Sequence, residues 1–192
     1  NFSVQLMKNW KNHFNMSIAY DFLDSKDASS PTEELTDATF GANPNFGNVN
    51  IAKLSPSSFG HKHRVVGSAY KKFNYGDGKW STTLTTFFEY TESGRHSFVY
   101  GGDINGDGSG QNDLIYIPTP SELGTMTFDA NLAPPSEQMA AFENYIQQDE
   151  YLNSHRGGFA GRNATLAPWF SNWDFRIAQD YNFGENSSKK IQ

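Results

Sequence analysis

The sequence predicts an all-β fold: a fragment of a transmembrane antiparallel up-and-down β-barrel with long extracellular loops, one of which carries a short helix. Three observations predict it. The first is the stretch Pro168 to Phe183. Its odd positions, Trp169, Ser171, Trp173, Phe175, Ile177, Gln179, Tyr181 and Phe183, are mainly apolar or aromatic, while its even positions, Phe170, Asn172, Asp174, Arg176, Ala178, Asp180 and Asn182, are mainly polar. Such alternation gives a strand two different faces, whereas a helix would smear both sets around its circumference. It also outruns the roughly five or six residues usual for a globular strand. The second observation is the placing of the rings, with Trp169 and Trp173 at one end and Tyr181 at the other, as in the aromatic girdles of a membrane barrel. The third is the rhythm of the connections, which run short, long, short, long, short. An up-and-down barrel puts every second connection on the same side, with short periplasmic turns and long outer loops.

Taken in order, Asn1 to Leu6 opens as a strand, and Lys8-Asn9-Trp10-Lys11-Asn12 reads as a turn. His13 to Leu23 sets Met16, Ile18, Tyr20 and Phe22 against Ser17, Ala19 and Asp21, a second two-faced strand. Residues 24–60 contain Ser29-Ser30-Pro31 and Asn43-Pro44-Asn45 and read as a long irregular loop. His61 to Phe73 and Lys79 to Thr91 flank Asn74-Tyr75-Gly76-Asp77-Gly78, whose Asp-Gly step marks a hairpin. From Glu92 to Ala167 no alternation persists, and a connection of that length is usually functional. Within it, Ser136 as an N-cap and the apolar spacing of Met139 to Ile146 predict a helix ending before Gly157-Gly158. Gly184-Glu185-Asn186-Ser187-Ser188 reads as a last short turn, and Lys190-Ile191-Gln192 as the start of another strand. A chain that begins and ends in strands is expected to be an internal piece of a larger protein.

Composition narrows the classes. The 192 residues carry Lys+Arg 15 against Asp+Glu 21, a formal net charge of -6, which argues against nucleic acid as a partner. There are no cysteines, so no disulfide framework or thiolate metal site exists. No run of about eighteen apolar residues occurs, which excludes a transmembrane helix. The mean hydropathy of -0.65 does not decide against a barrel, because only half of a barrel wall is apolar and its loops are polar.

Three groups of residues then carry a resemblance: Tyr100-Gly101-Gly102-Asp103-Ile104-Asn105-Gly106-Asp107-Gly108, Asn112-Asp113-Leu114-Ile115-Tyr116-Ile117-Pro118, and Arg156-Gly157-Gly158 through Arg162-Asn163 to Pro168-Trp169. Together with His63-Arg64-Val65-Val66-Gly67-Ser68, they resemble the late barrel region of TonB-dependent outer-membrane receptors from Bacteroidota. The nearest subgroup is the Oar-like receptors, whose full chains begin with a carboxypeptidase-regulatory-like domain. The resemblance implies a barrel of about 22 strands set in outer-membrane lipid, a plug inside it, and passage of a substrate energised through TonB. Plug, TonB box and terminal aromatic-ending strand have no counterpart in this sequence, so their functions fall on no residue of it.

The most definite motif is Asp103 to Asp113. Oxygen ligands at Asp103, Asn105 and Asp107 followed by glycine match the opening of a Ca²⁺ loop, with Asp113 as the nearest late acid. Leu114 stands where an EF-hand has its bidentate Glu, and the alternative is a loop of Asx-turns that cap their own backbone. On the strand from Pro168, Trp173, Phe175 and Ile177 are expected to face lipid, and Asn172, Asp174 and Arg176 the lumen. His61 and His63 would share a strand face but lack a third ligand. Arg156 and Arg162 would meet an anionic ligand or cap loop carbonyls, and Trp10 and Trp80 suit interfacial anchors. No serine or threonine sits in a nucleophile elbow or triad, so no enzyme is expected. A transport protein is favoured over a soluble, calcium-stabilised β-sandwich that binds glycan or protein, and over an enzyme with a cation-organised loop.

Overall fold

The computed structural model describes residues 1–30, 34–48, 50–51, 53–182 and 190–191. The predicted turn Gly184 to Ser188, together with Pro31, Phe183 and Gln192, lies outside these. The described residues are mostly β, 42% strand and 17% helix, with antiparallel sheets, and the chain divides into two units.

The first unit comprises residues 1–24, 60–94 and 167–192. It holds one six-stranded sheet in which each strand pairs antiparallel with the next: β1 (Phe2–Trp10), β2 (Phe14–Phe22), β3 (His63–Tyr75), β4 (Trp80–Glu92), β5 (Trp169–Asn182) and β6 (Lys190–Ile191). The described strands form an open meander and do not close into a barrel. Both long excursions leave the sheet at the same end, where Phe22 pairs with His63 and Glu92 with Trp169. The other end carries the tight turns. Gly76, Asp77 and Gly78 all take positive φ there, a conformation open to glycine and tolerated by aspartate.

Strand limits differ from expectation at that end. Lys8, Asn9 and Trp10 continue β1, and the turn is Lys11 to His13, with His13 at φ 58°. Likewise β3 runs to Tyr75 and pairs it with Trp80, so the hairpin turn occupies residues 76–79. Cross-strand pairing of bulky residues has outweighed the turn propensity of Asn9 and Asn74. At the other end His61 precedes β3, so the two histidines do not share a strand face.

The second unit comprises residues 25–59 and 95–166, the two excursions themselves. The expectation of irregular loops with one short helix is corrected here. The unit holds α1 (Thr36–Ala42), α2 (Pro120–Leu123), α3 (Pro135–Gln148) and α4 (Glu150–Ser154), with three two-residue ladders. Helix α3 starts at Pro135 rather than after a Ser136 cap, because proline is preset for the first helical position. Helix α2 begins with a capping box in which Thr119 and Glu122 satisfy each other's backbone N–H. Ile115, Ile117, Ile146, Leu152 and Ala160 form a buried core, with Phe98, Tyr100, Phe142 and Tyr151 packed against it.

Candidate functional site

Register assigns every residue of β1 to β5 to one of two faces, because directly paired residues share a face. Trp173 pairs with Phe88, which pairs with Gly67, then Ile18, then Leu6. One face therefore collects Leu6, Ile18, Leu84, Phe88, Trp173, Phe175 and Ile177. Asp174 leads through Phe87 and Ser68 to Ser17 and Met7, on the opposite face. No described residue of the first unit covers the apolar side at these positions: Trp173 is 55% exposed, and Phe175 and Ile177 are 76% exposed.

Rings gather at both ends of that apolar face. By the long excursions, Tyr90 stacks on Trp169 at 4.7 Å, and His63 lies 5.3 Å from Phe22 while sharing a 2.7 Å hydrogen bond with the Tyr20 hydroxyl. Near the tight turns, Trp10 meets Phe14 at 4.9 Å and Trp80 meets Tyr181 at 4.4 Å. The Tyr75 hydroxyl also donates to Gln179 Oε1 at 3.0 Å in that region. Phe88 and Trp173 stack at 5.0 Å midway between. Gly67 is required beneath them, because a Cβ there would collide with the Phe88 ring.

The polar face carries paired charge. Arg64 meets Glu89 at 2.5 Å, and Lys72 lies 3.9 Å from Asp180, whose Oδ2 also accepts from the Ser81 hydroxyl. Asn172, Asp174 and Arg176 stand on this face, exposed, and Trp173, Phe175 and Ile177 stand on the other. The two sets therefore stand on opposite faces of β5.

In the second unit the acidic loop is held mainly by its own backbone. Asp103 Oδ1 accepts from the N–H groups of Gly106 and Asp107, at 2.7 and 3.1 Å, and its Oδ2 from that of Gly108 at 2.9 Å. Asn105 Oδ1 accepts from the Asp107 N–H at 2.8 Å, and its Nδ2 donates to Asp107 Oδ2 at 3.2 Å. Asp113, 3% exposed, accepts from the N–H groups of Ile104 and Asn105. Desolvation pushes the Asp107 carboxyl upward, but hydrogen bonds from the Ser109 N–H and the Asn112 and Asn105 side chains outweigh it and hold the pKa below the usual carboxylate value. The donors are all oxygens, which suits a hard cation. Asn112 is fully buried, and its Oδ1 has no hydrogen-bond partner. Among the described residues, however, no three acidic or histidine side chains come together as a metal-holding group. Its side chains cap their own backbone as a set of Asx-turns.

The two arginines singled out by sequence find partners inside the molecule. Arg156 grips both Glu143 oxygens, at 2.9 and 2.8 Å, and donates to the Pro118 carbonyl. Arg162, 4% exposed, donates to the carboxylate and carbonyl of Asp27. Both arginines are thus internal struts. Sequence reasoning missed Asn45, which ties the first excursion to the acidic loop. Its N–H donates to the Asn112 carbonyl and its carbonyl accepts from Leu114, both at 2.8 Å. It also missed the parallel stack of Phe46 on Phe159, with Lys53 Nζ 3.5 Å from the Phe46 ring centre. Neither carried a local signal, since each partnership joins distant parts of the chain. No described helix is long and apolar enough to cross a membrane, which does not bear on strands. No family model, curated protein or solved structure matches this chain.

Proposed function

We propose that the chain is a wall segment of an outer-membrane β-barrel transporter of the TonB-dependent receptor kind. In this reading β1 to β6 are transmembrane strands, and the second unit is built from two extracellular excursions. Outer-membrane lipid meets the apolar face, Trp173, Phe175 and Ile177 included, while Asn172, Asp174 and Arg176 line the lumen. The remaining strands and the plug belong to the rest of the receptor, and TonB acts through that part.

The observation that carries the reading is the uncovered two-sided sheet. A contiguous exposed apolar face with aromatic rows at both ends would in water be an aggregation surface, of the kind that marks an interaction or membrane site. In a bilayer the same surface is the required one, and a polar, ion-paired opposite face suits a water-filled interior. A soluble sandwich would cover the apolar face with a second sheet, and no described element does so. The test is cysteine labelling from the lipid phase. A lipid-confined probe should label a cysteine at Phe175 and spare one at Asp174, and the reverse pattern would sink the assignment.

A structural Ca²⁺ at Asp103, Asn105, Asp107 and Asp113 is a separable part of the proposal. It rests on the oxygen-rich donor set and on the repulsion between carboxylates that a divalent cation relieves. Because these carboxylates already accept backbone N–H groups and Leu114 supplies no bidentate carboxylate, affinity is expected to be weak, about 10⁻⁴ to 10⁻³ M. Ca²⁺ should protect residues 95–120 from protease, and Asp103→Asn with Asp107→Asn should remove that protection. Equal cleavage with and without Ca²⁺ would leave only the hydrogen-bonded turn.

A further inference from the structure

We infer that the apolar face of the sheet holds one acyl chain of an anionic phospholipid in a groove, with the headgroup phosphate met by Lys71 and Lys8. The inference rests on the membrane reading above and adds a lipid-selective site to it. Ala69 and Thr86 are cross-strand partners, and their short side chains leave a low floor. Phe14, Leu84 and Phe175 stand around that floor and enclose about 290 Å³ with Lys71. That lies at the small end of ligand pockets, roughly 300 to 1,000 Å³, and an almost wholly apolar lining suits a narrow hydrocarbon chain rather than a polar ligand.

Charge on this face is polarised. Lys71 lies in the row of Phe14 and Leu84, and Lys8 in the next row, with Met16 and Ala69. Both belong to the half nearer the tight turns. The acid on this face of β1 to β5 is Glu92, at the opposite end. Lys71 Nζ donates to the Asn12 carbonyl at 2.6 Å, which leaves ammonium protons for a second acceptor. Lys8 Nζ rests 5.9 Å from the Trp10 ring centre. Neither lysine enters an ion pair among the described residues. A lysine on a lipid-facing surface extends its stem along apolar neighbours and delivers its ammonium to the headgroup layer. Here Lys71 reaches that layer from the lining of the groove and Lys8 from the row of its floor, two strands away, and an anionic headgroup completes them both.

The test uses the full receptor chain with bimane on Ile177→Cys, reconstituted in phosphatidylcholine vesicles. Brominated acyl chains are introduced on either phosphatidylglycerol or phosphatidylcholine. Phosphatidylglycerol should quench the bimane at about fivefold lower mole fraction, the fold-change for the roughly 1 kcal/mol that one basic residue gains at an anionic surface. Lys8→Gln with Lys71→Gln should erase the preference, and Lys71→Arg should retain it. Equal quenching by both lipids would overturn the lipid site while leaving membrane insertion standing. Quenching by neither would overturn the membrane reading and this inference with it. Full preference in a folded double glutamine variant would also overturn the site.

Discussion

Ile117, Ile146 and Leu152 are completely buried in the second unit, whereas Phe175 and Ile177, no less apolar, are 76% exposed on the sheet. The second unit is stabilised like a globular domain, by removing such side chains from water and packing them on Phe98, Phe142 and Tyr151. The sheet has backbone pairing and cross-strand contacts but no interior, so its apolar side chains gain only where something outside the chain removes water from them. A core and an unpartnered face therefore place the same residue types under different solvents. Mutations should tell the two apart.

The largest expected effect lies in the core. Leu152→Ala should destabilise the second unit by about 2 to 5 kcal/mol, read as faster amide exchange across residues 95–166, with the sheet unaffected. A similar loss of protection in β3 and β4 would show that the two units unfold as one. On the sheet, Phe175→Arg should cost roughly 2 to 4 kcal/mol in a bilayer near the midplane. The measurement is reversible folding into vesicles against urea. In a soluble protein the same exposed substitution would cost within about 0.5 kcal/mol, so a null result would place this face in water.

Acid should produce a smaller and more selective effect. Hydrogen bonds from Arg156 and Gln147, with the arginine charge, hold Glu143 below the usual glutamate value. Desolvation raises the Asp27 carboxyl, but Ser57, Arg162 and Ser30 lower it further. A folded pKa below the unfolded one means that the folded state binds fewer protons. The stabilisation is therefore complete above pH about 5, beyond the unfolded values, and drains away as pH falls through the depressed ones. Amide exchange in residues 95–166 should accelerate between pH 5 and 3, after correction for the intrinsic rate, and Glu143→Gln should reduce that acid dependence. An unchanged pH profile in that variant would remove the Arg156 to Glu143 pair from the account.

The sheet was largely legible because its information is local. Period two in Trp169 to Asn182 and in Trp80 to Thr91 gave faces and pairing together, and the rhythm of short and long connections anticipated where the excursions leave. Strand ends were less legible, since Asn9 and Asn74 have turn chemistry that cross-strand partners override. The second unit was mostly hidden. Its core joins Phe98, Ile115 to Ile117, Ile146 and Ala160, and no periodicity links segments so far apart. Arg162 finds Asp27 across 135 residues of chain. The capping box of Thr119 and Glu122 was available locally and went unread. For the acidic loop, the sequence showed donor types and spacing but not that backbone N–H groups take up the carboxylates.

The stems of the excursions have a further consequence. Leu23 N–H donates to the Lys62 carbonyl at 2.9 Å, Ser93 N–H to that of Pro168 at 3.3 Å and Ala167 N–H to that of Gly94 at 2.9 Å. Each excursion thus begins and ends on neighbouring strands that are already joined, so its span is fixed whatever lies between. Closing a loop over a fixed gap costs only about 0.6 kcal/mol more for each doubling of its length. Segments anchored in this way are interchangeable cassettes: their sequence can be rewritten without renegotiating the register of a single strand.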